Sequence, residues 1–148
     1  MLILIAGPYR SGTGDDPAKM AANLKRLEEP SHALFQAGHV PMIGEWVALP
    51  IWHAAGGKTV GDHLYEEIFH PVAGRLLQLC EGVLRLEGAS KGADNDVRIA
   101  RERGIPVWYR LEDVPGLRQG SMTEAGAVCA VPGTAPAVPF SSMSDIFV

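Results

Sequence analysis

Leu2-Ile3-Leu4-Ile5-Ala6 is apolar at every position, with no alternation of polar and apolar side chains. A strand that shows one face to water alternates. A strand covered on both faces reads instead as an unbroken apolar run, the pattern of parallel sheets in α/β proteins. Three more short apolar runs follow, at 39–43, 82–86 and 105–109, separated by stretches with helical spacing. The order β-α-β-α-β-α-β with short turns predicts right-handed crossovers. The expected fold is a single doubly wound α/β domain, Rossmann-like or flavodoxin-like, with a mostly parallel four- or five-stranded sheet.

The helical stretches carry their own punctuation. Asp16-Pro17 reads as an N-cap followed by proline at the first helical position. Met20, Leu24, Leu27, Leu34 and Phe35 then space a helix to Ala37, with Pro30 imposing a kink or a division into two and Gly38 closing it. The segment 44–57, with two tryptophans, a proline and terminal glycines, predicts an irregular or short helical excursion above the sheet. Leu64 to Leu79 is helical in pattern, and Pro71 is expected to break it into two pieces. A last helix is expected from Asp94 to Arg103. Residues 1–118 form the expected domain. Residues 119–148 are rich in Ala, Pro and Ser and poor in charge, and read as a tail, flexible or draped over a neighbour.

Bulk properties narrow the function. A chain of 148 residues buries a core without staples. Its net charge of −4 argues against a nucleic-acid polymer as partner, because such proteins carry a basic patch or a high pI. A small anion is compatible with that charge, since one arginine and a helix N-terminus suffice to hold a phosphate. Cys80 and Cys129 lie far apart with no metal-type spacing, and no apolar run reaches bilayer length. No membrane partner and a cytoplasmic location are expected.

Two stretches hold the candidate chemistry. Gly7-Pro8-Tyr9-Arg10 leaves the first strand at the edge where open α/β sheets bind ligands. Gly7, Arg10 and Tyr9 are therefore candidates for ligand contact, against the plainer reading of an ordinary βα loop. Ser90-Lys91-Gly92-Ala93-Asp94-Asn95-Asp96 joins the third strand to its helix, and Ser90 and Gly92 make a candidate anion site. Asp94 reads either as a substrate-binding carboxylate or simply as the helix N-cap, while Asp96 needs more than capping to explain it. Trp46 and Trp52 would serve equally as an aromatic wall for a base or as core. His63, Glu66, Glu67 and His70 share a helical spacing, but Pro71 disturbs that face and no metal is expected there. Asp62 reads as an N-cap and Cys80 as inert core.

Strand-Gly-Pro-Tyr-Arg, a helix ending Ala37-Gly38-His39, Ser90-x-Gly92-x-x-x-Asp96 and Ala100-x-x-x-Gly104-Ile105-Pro106-Val107 together resemble the nucleoside 2-deoxyribosyltransferase-like superfamily. That group includes nucleoside deoxyribosyltransferases and deoxynucleoside monophosphate N-glycosidases. The resemblance spans roughly residues 1–110 as an ordering of short motifs. It implies that Asp96 stands where the family carries a nucleophilic carboxylate, usually Glu, that attacks the anomeric carbon of a deoxyribose. Asp is shorter by one methylene, about 1.5 Å of reach. Ser90 falls on the family's 5′-phosphate-binding serine, and Tyr9 and Arg10 on the tyrosine and arginine of the first loop. A second family Asp, eight residues before the acid that opens the third strand, falls on Ala73. His70, one turn earlier, is the candidate acid/base in its place.

The expected activity is an N-glycosidase or deoxyribosyl transferase on a nucleoside or nucleoside 5′-monophosphate, with no metal or organic cofactor. Asp96, Tyr9 and His70 would be catalytic. Gly7, Arg10, Trp46, Ser90, Gly92 and Asp94 would bind substrate. The alternative is a non-catalytic sensor of a nucleotide or nucleotide-derived signal, which the Asp at 96 and the Ala at 73 favour. A homo-oligomer, dimeric or higher, is expected from the resemblance and from the low charge of the tail.

Overall fold

A computed structural model describes residues 1–117; the tail expected at 119–148, with Cys129, lies outside the described residues. Four strands, β1 (Leu2–Ala6), β2 (Val40–Ile43), β3 (Gly82–Arg85) and β4 (Val107–Trp108), form one all-parallel sheet in the order β2-β1-β3-β4. The α/β doubly wound fold follows directly. β1 pairs with β2 through Leu2↔Val40 to Ile5↔Ile43, and with β3 through Ile3↔Gly82 to Ala6↔Arg85. Both its edges are thus occupied. Gly82 opens β3 because the Trp108 ring lies across it, where a Cβ would come within 2.4 Å of the indole.

The pleat of β1 divides the core into two layers. Ile3 and Ile5 point to one face, packing with Leu27, Leu34, Ile43, Leu84 and Val114. That layer belongs to α1 (Pro17–Glu28) and α2 (Ser31–Gln36), which Pro30 separates. Leu4 and Ala6 point to the other face, with Leu77, Cys80, Val83, Ala93 and Ala100. The helices there are α4 (His63–Leu79) and α5 (Lys91–Glu102), with α3 (Gly44–Ala54) lying against α4. Burial raises the Cys80 thiol pKa, which keeps it protonated among these side chains.

Of the two alternatives for segment 44–57 the helical one holds: an eleven-residue helix with Pro50 inside it. The break expected at Pro71 does not occur, and α4 runs seventeen residues without interruption. Both prolines lie on the exposed side of their helices, so the carbonyls left without an N–H partner, on Trp46 and Glu67, belong to exposed residues within reach of water. Buried Tyr65, Val72 and Leu77 anchor α4 on either side of Pro71. At its far end Arg103 donates to the carbonyls of Leu77, Gln78 and Cys80, supplying the cap that α4 lacks in its own sequence. Asp62 is the N-cap of α4, accepting from the Tyr65 amide at 2.8 Å.

Leu84 is fully buried in the centre of β3, between Ile5 and Trp108, whereas Leu79 is 69% exposed. Leu84→Ala is expected to cost about 3 kcal/mol or more, and Leu79→Ala less than about 0.5 kcal/mol, in urea unfolding followed by circular dichroism.

Candidate active site

The connection from β1 to β2 runs to one side of β1, and the next, from β2 to β3, crosses to the other side. Their helices lie on opposite faces, so the loops part above the carboxyl end of β1 and leave a crevice. A cavity of about 390 Å³ occupies this position, with the end of β1, the loop after it, the start of α3, the middle of α4 and the start of α5 as its walls.

The first loop is shaped by its own side chains. Thr13 is buried, and its hydroxyl donates to the Arg10 carbonyl at 2.6 Å and accepts from the Asp15 amide at 3.2 Å. Asp15 adopts φ 61°, and its carboxylate takes the Arg10 guanidinium at 2.6 Å. Arg10 also reaches Glu66 at 3.1 Å and lies over the Tyr65 ring, 5.3 Å from its centroid. The guanidinium crosses Gly61, where a Cβ would sit 2.1 Å from a terminal nitrogen. Only glycine allows that passage, and φ +82° at this position adds a second reason. Arg10 thus lines the cavity as expected, with two carboxylates already on it.

Gly7 also lines the cavity, but its lack of a side chain serves packing, since a Cβ would press against Leu27 at 2.9 Å and Leu86 at 3.3 Å. Tyr9 is a wall of the site. Burial, then the nearby Glu45, raises the pKa of its hydroxyl. Its ring is parallel to that of Phe69, with centroids 6.4 Å apart, and Phe69 stacks on Tyr65 at 3.8 Å. Tyr65 and Phe69 are four residues apart on α4, a spacing that places both on one face. That i, i+4 aromatic pair was the readable signal for this wall.

Trp46 and Trp52 do not form it. Trp46 lies outside the cavity, 39% exposed, its indole donating to Glu28 at 3.0 Å. Trp52 is core: its indole donates to Asp62 at 3.1 Å and its ring meets the edge of Tyr65. Asp94 is neither the N-cap nor a cavity residue. Ser90 caps α5, accepting from the Ala93 amide at 3.2 Å, and Asp94 instead pairs with Arg85 at 2.9 Å. Arg85 is buried on β3 and also donates to the Leu86 and Gly88 carbonyls, tying down the loop that presents Ser90. The cap moves to Ser90 because the helix begins three residues earlier than the acids suggested.

Ser90 and Gly92 both line the cavity. The amides of Lys91 and Gly92 stand in the first turn of α5, where no intrahelical acceptor exists for them. Apart from the Ser90 hydroxyl at 4.0 Å, nothing approaches the place where a Gly92 Cβ would stand, so that space belongs to the cavity. Asp96 projects into the same space. Burial pushes its carboxyl up to about 6, against the pull of His70 and then Arg85. His70 lines the cavity, with its side chain 68% exposed and paired to Glu66 at 2.9 Å. His63 and Glu67 take no part in the cavity, and among the described residues no three His, Cys, Asp or Glu side chains are arranged to hold a metal ion. Ala73 does line the cavity, so its position is a real part of the site although it carries no ionisable group.

Sequence reasoning passed over Glu45. It follows β2 directly, in the first turn of α3, and lines the cavity with Asp96. Burial pushes its carboxyl up to about 7; a bond to its own backbone amide opposes this, and the charge on Asp96 adds to it. A carboxyl among apolar neighbours such as Trp46 and Val47 gave no motif to read.

Two raised carboxyls make stability depend on pH in a defined direction. Each binds its proton more tightly in the folded chain than in the unfolded one, so the folded state is favoured at low pH, and that advantage fades as pH rises through about 6 and about 7. Between about pH 5 and about pH 8, urea unfolding is expected to show a loss on the order of 4 kcal/mol. Glu45→Gln should remove most of that slope and be the more stable chain at about pH 8. No family model, curated protein or solved structure matches this chain.

Proposed function

We propose that this chain cleaves the N-glycosidic bond of a nucleoside or nucleoside 5′-monophosphate, passing the sugar to water or to a second base. One observation carries the reading: a desolvated carboxyl, Asp96, shares a cavity with a stacked aromatic wall of Tyr9, Phe69 and Tyr65. A planar base stacks on such a wall, and the carboxylate suits the cationic, oxocarbenium-like sugar that forms as the base leaves. Asp96 is the nucleophile or the electrostatic partner of that sugar, and the Tyr9 hydroxyl orients it. The first turn of α5, with Ser90, Lys91 and Gly92, and Arg10 across the cavity, receives the phosphate or the sugar hydroxyls. His70, held by Glu66, is placed to move a proton at the cavity mouth. The resemblance to the nucleoside 2-deoxyribosyltransferase-like superfamily supports the same assignment of Asp96, Tyr9, Arg10 and Ser90.

The rival reading, a sensor that binds a nucleotide without cleaving it, draws on the pairing of Arg10 with two carboxylates and on Ala73 at the cavity wall. The two part company on turnover. Incubation with a panel of nucleosides and 5′-monophosphates, followed by chromatography for free base, is expected to show release, and Asp96→Asn to abolish release while retaining binding in calorimetry. Arg10→Ala is expected to weaken a monophosphate roughly tenfold and its nucleoside little. Binding without release across the panel would establish the sensor instead.

A further inference from the structure

We propose that Glu45 is the general acid of this site, the group that hands a proton to the departing base. The proposal rests on the N-glycosidase reading and assigns the task that Ala73 cannot perform. Its first support is position. β2 and β3 flank β1 on opposite sides, Glu45 stands at the head of the helix after β2, and Asp96 stands in the helix after β3. The two carboxyls therefore enter one cavity from opposite sides of β1. Glycoside cleavage calls for such a pair across the scissile bond, one carboxyl ionised and the other protonated.

The second support is environment. The start of a helix favours an ionised carboxyl, and the bond to the backbone amide of Glu45 acts the same way. Burial outweighs both and holds the Glu45 carboxyl up, and the charge on Asp96 raises it further. The groups around it do not reverse this. Tyr9 from the first loop and Tyr65 from α4 have raised pKa values and are neutral, while Asp96 from α5 brings a negative charge. The cations of the cavity, Arg10 and Lys91, belong to its other walls, and Arg10 is already paired with Asp15 and Glu66. His70 is mostly exposed and bonded to Glu66, which suits it to the cavity mouth. Glu45 thus meets the requirement for two titratable groups whose surroundings set their protonation states apart.

The bond between the sugar C1′ and the base nitrogen breaks, its electron pair goes to the base, and the proton of Glu45 neutralises the base as it leaves. A carboxylate oxygen of Asp96 bonds to C1′. Water then attacks C1′, its proton passes to the Glu45 carboxylate, and the electron pair of the C1′–O bond returns to Asp96. Free base and free sugar result, with both carboxyls restored.

The test separates acid catalysis from a structural role by the leaving group. Wild type, Glu45→Gln and Asp96→Asn, each shown folded by thermal melting, are assayed on ordinary nucleosides and monophosphates. They are assayed in parallel on an N-methylated, already cationic purine nucleoside and on a nitrophenyl deoxyriboside, whose leaving groups need no proton. Glu45→Gln is expected to lose roughly 100-fold or more in kcat/KM on the ordinary substrates. It should lose less than about threefold on the activated ones, and its alkaline limb in the pH profile should disappear. Asp96→Asn should lose both classes. Equal losses in Glu45→Gln on both classes, or no loss on either, would overturn the role of Glu45 while leaving the glycosidase reading intact. A wild type that releases base from no substrate in either class would overturn both.

Discussion

β1 is covered on both faces and paired on both edges, and this confinement organises the rest of the molecule. Its four buried side chains, Ile3 to Ala6, divide between two cores, and its backbone bonds to β2 on one side and β3 on the other. A strand so enclosed has a single open direction, beyond its carboxyl end. Because the chain visits β2 before β3, the helices after those strands diverge above that end. The crevice is thus a product of strand order. The loops and helix starts that follow the three strands converge there.

Placing carboxyls in that crevice costs stability, and the surroundings offset that cost only in part. Buried Arg85 stands at the end of β3, but Asp94 and two carbonyls already engage it. It rigidifies the β3–α5 loop and lowers the pKa of Asp96 only partly, leaving burial dominant. Arg10 is similarly held by Asp15 and Glu66. Both arginines thus have their charge engaged by other partners, while the carboxyls of the cavity keep raised pKa values. In the reaction we propose, such surroundings suit the positive charge that develops on the sugar as its base departs. The aromatic stack adds a flat apolar surface beside those carboxyls without adding charge.

The comparison between sequence and structure is instructive at particular residues. All four strands lie within the expected runs, because apolar runs bounded by turn residues depend on local pattern. Pro30 divides α1 from α2 as expected, whereas Pro71 is carried inside α4, where its freed carbonyl is within reach of water, and sequence does not say which side of a helix is exposed. The cap of α5 went to Ser90 and not to Asp94 for a related reason. Both are good caps, and the choice fell to Ser90 because Arg85, nine residues before Asp94, captures that carboxylate. Trp46 and Trp52 were attractive as isolated aromatics, while Tyr65 and Phe69, which build the wall, stood unremarked inside a helix.

By itself the sequence determined what short-range patterns can encode: a parallel α/β sheet, a crevice at the end of its first strand, and the presence there of Gly7, Tyr9, Arg10, Ser90, Gly92 and Asp96. It could do so because strand burial, glycine placement and loop composition act over a few residues. Tertiary structure alone decided which carboxyls share a cavity. Glu45 and Asp96 lie on different helices, and their raised pKa values arise from burial, a property of the assembled walls that no local segment possesses.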